Sequence, residues 1–170
     1  MCMQLLVIRH AIAEERETFA ATGEDDSRRP LTKRGERKMK DVAAGLRRVV
    51  GTLDALGAST LLRAQQTAEI VAGAYGDLPV HAVEALSPES DPRALGGWLR
   101  HHGSADVVAI VGHEPHLGML VTWLMTGRLA SRVALRKGGA CLLECSVGAA
   151  AGGATLQWAL TPSQLRRIGR

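Results

Sequence analysis

Two apolar runs, each leading into a histidine, restrict the folds open to this chain more than any other feature. Residues 5–8 (LLVI) run directly into Arg9 and His10, and residues 107–111 (VVAIV) run into Gly112 and His113. Uninterrupted aliphatic runs of this length are typical of strands buried on both faces, as in a parallel sheet covered by helices. Ligands bind at the carboxyl ends of such strands. The sequence therefore predicts an α/β fold with a cation and two imidazoles at one sheet edge, although an Arg-His pair alone is often only a surface pair.

Length and composition favour one domain spanning residues 1–170. A chain of 170 residues with 46% hydrophobic and 22% charged residues can bury on the order of 70% of its unfolded surface. Aromatic residues make up only 3%, so the core must be aliphatic. The net charge of +4 favours acidic partners. We expect no nucleic-acid binding, because there are few aromatic side chains on which bases could stack.

The cysteines and the N-terminus indicate a cytoplasmic protein. Cys141 and Cys145 fall on one predicted strand, roughly 13 Å apart, which is too far for a disulfide. We expect both to be reduced, as is usual in the cytoplasm; a metal-binding pair is the alternative, but it lacks further nearby ligands. The N-terminal apolar run is too short for a signal peptide, and no run reaches the length of a membrane span. We expect no membrane association and a monomer.

Between the two apolar runs, helical and strand patterns alternate. Residues 14–30 are polar and predict a long surface loop, of the kind that often carries function. The predicted helices begin at Thr32, near Arg63, at Pro92 and at Pro115. The further predicted strands are residues 53–59, 80–83, 139–146 and 154–160. This order predicts a mostly parallel sheet, extended by the last two strands with at least one of them antiparallel.

Four motifs occur in a characteristic order. They are Arg9-His10, Arg29-Pro30-Leu31-Thr32 with Gly35, Leu62-Arg63-Ala64 with Gln66-Thr67, and Val111-Gly112-His113-Glu114-Pro115. In this order and spacing the chain resembles the histidine phosphatase superfamily, and its small size resembles the SixA-type phosphohistidine phosphatase branch. The resemblance extends from Gln4 to about Leu160. Ala11 stands where the superfamily signature usually has glycine, and alanine at this position is familiar in the branch.

The resemblance implies a fold, an activity and a set of site residues. The fold is a three-layer α/β/α sandwich of the phosphoglycerate mutase type. The activity is removal of phosphate from a protein histidine through a phosphohistidine intermediate on His10, with no cofactor and no metal. Arg9, Arg63 and His113 bind the phosphate oxygens, and Arg29 is a further candidate. Phosphoryl transfer requires such a set: an unprotonated nucleophile and cations around the equatorial oxygens.

The proton donor and the substrate stay open at this point. Glu84 follows the third strand, about where larger members of the superfamily carry a proton donor. The interpretation that Glu84 is only a surface residue has equal weight. Glu14 is a further candidate for the proton donor. The chain could instead be a phosphomonoesterase acting on a small phosphate ester, or a phosphate-binding module without catalysis. The module is disfavoured because binding alone does not need His10. A cationic run near the site could also guide an acidic partner; it comprises Arg28, Arg29, Lys33, Arg34, Arg37 and Lys38.

Overall fold

The structure, a computed structural model, describes residues 2–146 and 150–170. Six strands form one sheet: β1 (Cys2–Arg9), β2 (Ala55–Ala58), β3 (Val80–Ala82), β4 (Val107–Gly112), β5 (Ala140–Ser146) and β6 (Ala154–Leu160). The α-helices are α1 (Arg16–Ala20), α2 (Lys33–Val49), α3 (Leu62–Ala74), α4 (Leu95–His101), α5 (His116–Thr126) and α6 (Pro162–Gly169). Short 3-10 turns cover Asp26–Arg28, Glu84–Leu86 and Pro92–Ala94.

The sheet has the order β3-β2-β4-β1-β5-β6. Strands β1 to β4 are mutually parallel where they pair, whereas β5 pairs antiparallel with both β1 and β6. The predicted mostly parallel sheet, extended by the last two strands, is therefore confirmed. Strand β1 lies inside the sheet, paired along both edges, and this position explains its unbroken apolar sequence.

The sheet separates two aliphatic cores, which gives the predicted three-layer α/β/α arrangement. Side chains alternate along β1, so that Leu6 and Ile8 enter the core formed with α2, α3 and α6. Leu5 and Val7 enter the opposite core, formed with α4 and α5. All four side chains are fully buried. Together the two cores fix β1, and with it the residues that follow it.

Some predictions of local structure differ from what is observed. The polar segment 14–30 contains α1 and the turn Asp26–Arg28 instead of being loop throughout, and α6 was not predicted. His81, which falls on the predicted strand 80–83, is exposed on β3. Cys141 and Cys145 are free thiols, as predicted, and both are buried. In the described residues, no helix combines the length and the apolar character needed to cross a bilayer.

Candidate active site

The candidate site lies at the carboxyl ends of the two central parallel strands. Arg9 is paired with Gly112 across β1 and β4, and the His10 amide donates to the Gly112 carbonyl at 2.9 Å. His10 and His113 follow directly at the same edge, with ring centroids 5.1 Å apart. Parallel pairing thus brings together two histidines that are 103 positions apart in the sequence.

A single hydrogen bond determines which nitrogen of His10 is free to react. His10 Nδ1 lies 2.7 Å from the carbonyl oxygen of Ala11. A carbonyl only accepts, so the proton is on Nδ1 and the lone pair is on Nε2. Burial lowers the pKa of His10 to about 3, and the positive charges of Arg63, Arg9 and Lys137 act in the same direction. At neutral pH the imidazole is uncharged and presents Nε2 as a nucleophile.

His113 is hydrogen-bonded to Ser59, which follows β2. His113 Nε2 lies 2.8 Å from Ser59 Oγ. Ser59 Oγ accepts from the Leu61 amide at 3.3 Å and can donate its own proton to His113 Nε2. In that tautomer the ring proton of His113 is on Nδ1. Burial lowers the pKa of His113 to about 2, with the nearby His10 and Arg63 as further causes, so the ring acts as a neutral donor.

Two arginines are held beside these rings by backbone and side-chain acceptors. The Nη1 group of Arg9 donates to the Leu135 carbonyl at 2.8 Å. The Nη1 group of Arg63 donates to the Asp26 carbonyl at 2.9 Å, and its Nη2 lies 3.2 Å from Asp26 Oδ2. Burial lowers the pKa of both guanidinium groups, yet an arginine stays charged in proteins. The Asp26 carboxylate offsets the cost of burying Arg63 in the first turn of α3, where the helix dipole opposes a cation.

Three buried N–H donors point to an anion at this edge. Arg9 Nε, Arg63 Nε and His113 Nδ1 have no hydrogen-bond partner among residues 2–146 and 150–170. Buried donors without a partner are costly and rare in native proteins. All three side chains line the same cavity as His10. The arrangement suits an oxyanion whose oxygens accept from these donors while His10 Nε2 faces its central atom.

The cavity measures about 260 Å³ and gathers five of the six predicted site residues. Arg9, His10, Arg29, Arg63 and His113 all line it. Glu84 does not line it; its side chain is exposed at the start of the turn Glu84–Leu86. Further lining residues are Glu14, Glu15, Arg16, Pro88, Glu114 and Lys137. Of the two carboxylates considered as proton donors, only Glu14 is therefore in place.

Sequence reasoning missed two residues that support the site. Asp26 bridges the arginines, because its Oδ1 accepts from Arg29 Nε at 2.8 Å while its Oδ2 pairs with Arg63. Arg29, only 6% exposed, also donates to the Glu14 carbonyl at 2.7 Å. Asp26 precedes Arg29 by three positions, and this spacing was a usable sequence signal for an ion pair. Ser59 directly follows a strand at the predicted ligand edge, and this position was a weaker signal for a site residue.

The described residues contain no group of three or more His, Cys, Asp or Glu side chains placed to hold a metal ion. His113 and His116 are three positions apart, a spacing that can place two metal ligands on one helix face; both are buried, but only His113 lines the cavity. Asp26 and Glu114 are instead engaged by protein donors, the latter by the amides of Leu135 and Gly118.

Comparison with known proteins links this site to a family. Residues 5–88 match the family model described as "Histidine phosphatase superfamily (branch 1)". An uncharacterized protein of Picosynechococcus is 34% identical over 139 residues, which are 81% of this chain and 82% of that protein. The matched part of the chain contains Arg9, His10, Arg29 and Arg63, whereas His113 lies beyond it.

Solved structures share the fold over nearly the whole chain. The structure of the protein histidine phosphatase SixA complexed with tungstate aligns with a TM-score of 0.81 and 24% identity, covering 96% of this chain and 99% of that chain. A phosphoserine phosphatase from Entamoeba histolytica, in complex with 3-phosphoglyceric acid, aligns with a TM-score of 0.69 and 16% identity, covering 96% and 99%. The same architecture therefore occurs in proteins named for different phosphorylated substrates.

Proposed function

The chain belongs to the histidine phosphatase superfamily and is a phosphatase, and from this premise we propose that it hydrolyses phosphohistidine on a protein through a covalent intermediate on His10. The observation that carries the proposal is the set of three buried N–H donors in the cavity that His10 also lines. Arg9, Arg63 and His113 bind the phosphoryl oxygens, and the buried Arg29 adds positive charge to the same cavity. These groups supply the electrostatic stabilisation that phosphoryl transfer needs, so the proposed mechanism uses no metal.

In the first step the lone pair of His10 Nε2 attacks phosphorus in line with the leaving group. The bond between phosphorus and the substrate's ring nitrogen breaks, and its electron pair stays on that nitrogen. If the substrate ring carries a proton on its other nitrogen, it departs as neutral imidazole. The enzyme therefore does not need to deliver a proton to the leaving group in this step. An alkyl phosphate ester, in contrast, must expel an alkoxide unless an acid protonates the leaving oxygen.

In the second step water attacks phosphorus and the bond to His10 Nε2 breaks. The hydrogen bond from Nδ1 to the Ala11 carbonyl keeps the proton on Nδ1 throughout. His10 therefore leaves as neutral imidazole, and the proton lost by water passes to the phosphate product or to solvent. The carbonyl of Ala11 thus favours both the attack by Nε2 and its later departure.

The dimensions of the cavity support a substrate that is presented from outside. A volume of about 260 Å³ is below the roughly 300 to 1,000 Å³ that encloses a small-molecule ligand. Between β3 and α4 the chain forms only two 3-10 turns, and of this segment only Pro88 lines the cavity. A phosphoryl group with its imidazole fits such a site while the rest of the substrate remains outside it.

A small phosphate ester is the second candidate substrate. Glu14 and Glu15 line the cavity and could protonate an alkoxide leaving group. The fold is also shared with the phosphoserine phosphatase of Entamoeba histolytica. This alternative requires acid catalysis, which the phosphohistidine reaction does not.

The test compares substrates and traps the intermediate. Phosphate release from phosphohistidine peptides is measured beside a panel of sugar and nucleotide monophosphates, and labelled substrate is quenched rapidly without acid. We expect the peptides to be cleaved fastest and the label to appear on His10. His10→Ala abolishes turnover but keeps much of the phosphate affinity, because the arginines remain; Arg63→Ala loses both.

Three results contradict the proposal. If label is absent from wild-type protein under conditions of steady turnover, His10 is not the nucleophile. If activity disappears with EDTA and returns with zinc, the metal-free mechanism is wrong. Equal or greater kcat/KM on a sugar phosphate favours the metabolite phosphatase.

A further inference from the structure

A cleft lined by four cations adjoins the catalytic cavity. It measures about 230 Å³, and its charged lining consists of Lys38, Arg136, Lys137 and Arg166. No carboxylate lines it. Lys38 comes from α2, Arg136 and Lys137 from the segment before β5, and Arg166 from α6. Three segments that are distant in the sequence therefore form one positively charged surface, and no acidic residue lines this cleft.

The cleft is continuous with the site of phosphoryl transfer. Lys137 lines both the cleft and the catalytic cavity, and Ala11 and Ile12, which follow the nucleophile, form part of the cleft wall. The amide of Gly138 donates to the carbonyls of Arg9 and His10 at 3.2 and 3.1 Å. Gly138 has a φ of +78°, which suits glycine and permits this close approach. A ligand in the cleft thus lies beside His10.

No salt bridge neutralises the four cations within residues 2–146 and 150–170. The ion pairs found among the described residues involve other cations, namely Arg16, Arg28, Arg29, Lys33, Arg63 and Arg93. Arg34 and Arg166 hold the pKa of Lys38 below its ordinary value, which reflects uncompensated positive charge around it. Such a surface attracts a ligand of opposite charge.

A second cleft that adjoins the catalytic cavity offers less free positive charge. It measures about 480 Å³ and shares Arg16, Arg63 and Pro88 with the cavity. Its lining also includes the carboxylates Glu24, Asp25, Asp26 and Glu89, and Asp26 pairs with both Arg16 and Arg63. An acidic segment is therefore attracted more strongly to the cleft with the four cations.

We propose that the cleft of Lys38, Arg136, Lys137 and Arg166 binds an acidic segment of the phosphorylated protein, next to the phosphohistidine in the catalytic cavity. This inference rests on the proposed function and narrows it to protein substrates with carboxylates close to the phosphorylated histidine. It also revises the sequence-based expectation of a guiding cationic run. Of that run only Lys38 lines the cleft, and the other cleft cations are distant in sequence.

The test uses two phosphohistidine peptides and two matched double variants. One peptide carries glutamates on both sides of the phosphohistidine, and the other carries glutamines in their place. Lys38→Ala/Arg166→Ala removes one cleft cation from each of two helices. Arg37→Ala/Arg167→Ala removes the adjacent, exposed arginines of the same helices, which do not line the cleft. The net charge of the two variants is equal.

At low ionic strength we expect wild-type kcat/KM to be about tenfold higher for the glutamate peptide than for the glutamine peptide. The cleft variant loses about fivefold on the glutamate peptide only, and the control variant changes by less than about twofold. Equal wild-type rates on the two peptides, or equal losses in the two variants, overturn the inference.

Failure of the proposed function gives a different result. If neither phosphohistidine peptide is cleaved although small phosphate esters are, the substrate is not phosphohistidine. Binding of the fluorescently labelled, unphosphorylated glutamate peptide to the three proteins then still tests the cleft. Weaker binding to the cleft variant alone supports the docking surface, and equal binding to all three overturns it.

Discussion

At the scale of single residues, the site depends on keeping two histidines uncharged. His10 and His113 are 6% and 3% exposed, and burial is the largest cause of their lowered pKa values. A charged His10 has no lone pair on Nε2 and cannot attack phosphorus. The burial that activates the site therefore also makes the folded state sensitive to acid.

Acid should destabilise the fold through these two residues. Unfolded histidine has a pKa near 6.5, whereas the folded values are about 3 for His10 and about 2 for His113. The unfolded state binds more protons below pH 6.5, so stability is fully present above that pH and falls as the pH drops towards the folded pKa values. At pH 5 each histidine lowers the free energy of unfolding by about 2 kcal/mol. Urea denaturation at pH 7 and pH 5 measures this loss.

A matched pair of variants identifies the source of the acid sensitivity. His10→Ala should reduce the difference in the free energy of unfolding between pH 7 and pH 5 by the contribution of His10. His81→Gln removes an exposed histidine and should leave the difference as in wild type. If the two variants behave alike, the buried histidines are not the cause.

The two candidate acids should behave differently. Glu14→Gln should slow an alkyl phosphate by about a hundredfold, the lower range for lost general acid catalysis, while a phosphohistidine peptide loses only a few-fold. Glu84→Gln should affect neither substrate, because Glu84 does not line the cavity. Comparing kcat/KM for both substrates in both variants measures this. A large loss in Glu84→Gln restores Glu84 as the donor.

At the scale of elements, α2 positions the segment that follows the nucleophile. A Cβ on Gly35 overlaps the carbonyl oxygen of Ile12, so only glycine permits this approach. The same carbonyl accepts from the Thr32 amide at 3.0 Å, and Thr32 Oγ1 caps α2 by accepting from the Gly35 amide at 2.9 Å. The N-terminus of α2 and the backbone after His10 thus form one contact.

Gly35→Ala should destabilise the protein and impair catalysis together. Relieving the overlap requires a shift of the backbone after His10, at a cost on the order of 2 kcal/mol. Gly73→Ala is the control: its nearest neighbour is Asp77 Oδ1 at 3.9 Å, so it should stabilise α3 by up to about 1 kcal/mol. Thermal unfolding and kcat/KM are measured for both. A Gly35→Ala protein with wild-type stability contradicts this account.

The elements predicted from the sequence are those with a strong local pattern. Strands β1 and β4 are uninterrupted apolar runs, and α2 has its threonine cap and regular apolar spacing. Helix α1 has five residues, none of them buried, so it carries no clear periodic signal and depends on tertiary contacts. Helix α6 does have a local signal that was overlooked: Thr161 and Gln164 form a capping box, and Pro162 is its first residue.

At the scale of the whole molecule, the site is where the fold brings separate strand ends together. Arg9, His10 and His113 were predictable because each directly follows, or ends, a recognisable strand. The pairing of Asp26 with Arg63 was not, because it requires the path of residues 14–30 back across the site. The cationic cleft is likewise a product of packing between α2 and α6.

The position of β1 inside the sheet has a consequence for amide hydrogen exchange. Its neighbours β4 and β5 pair with it along both edges. We therefore expect that no local fluctuation exposes the amides of Leu6 to Ile8 to solvent. They should exchange with deuterium only through global unfolding, while exposed amides of residues 14–30 exchange by local fluctuations. Strand β1, which leads into His10, should thus be among the last segments to become labelled. Its protection should fall in step with overall stability when denaturant is added.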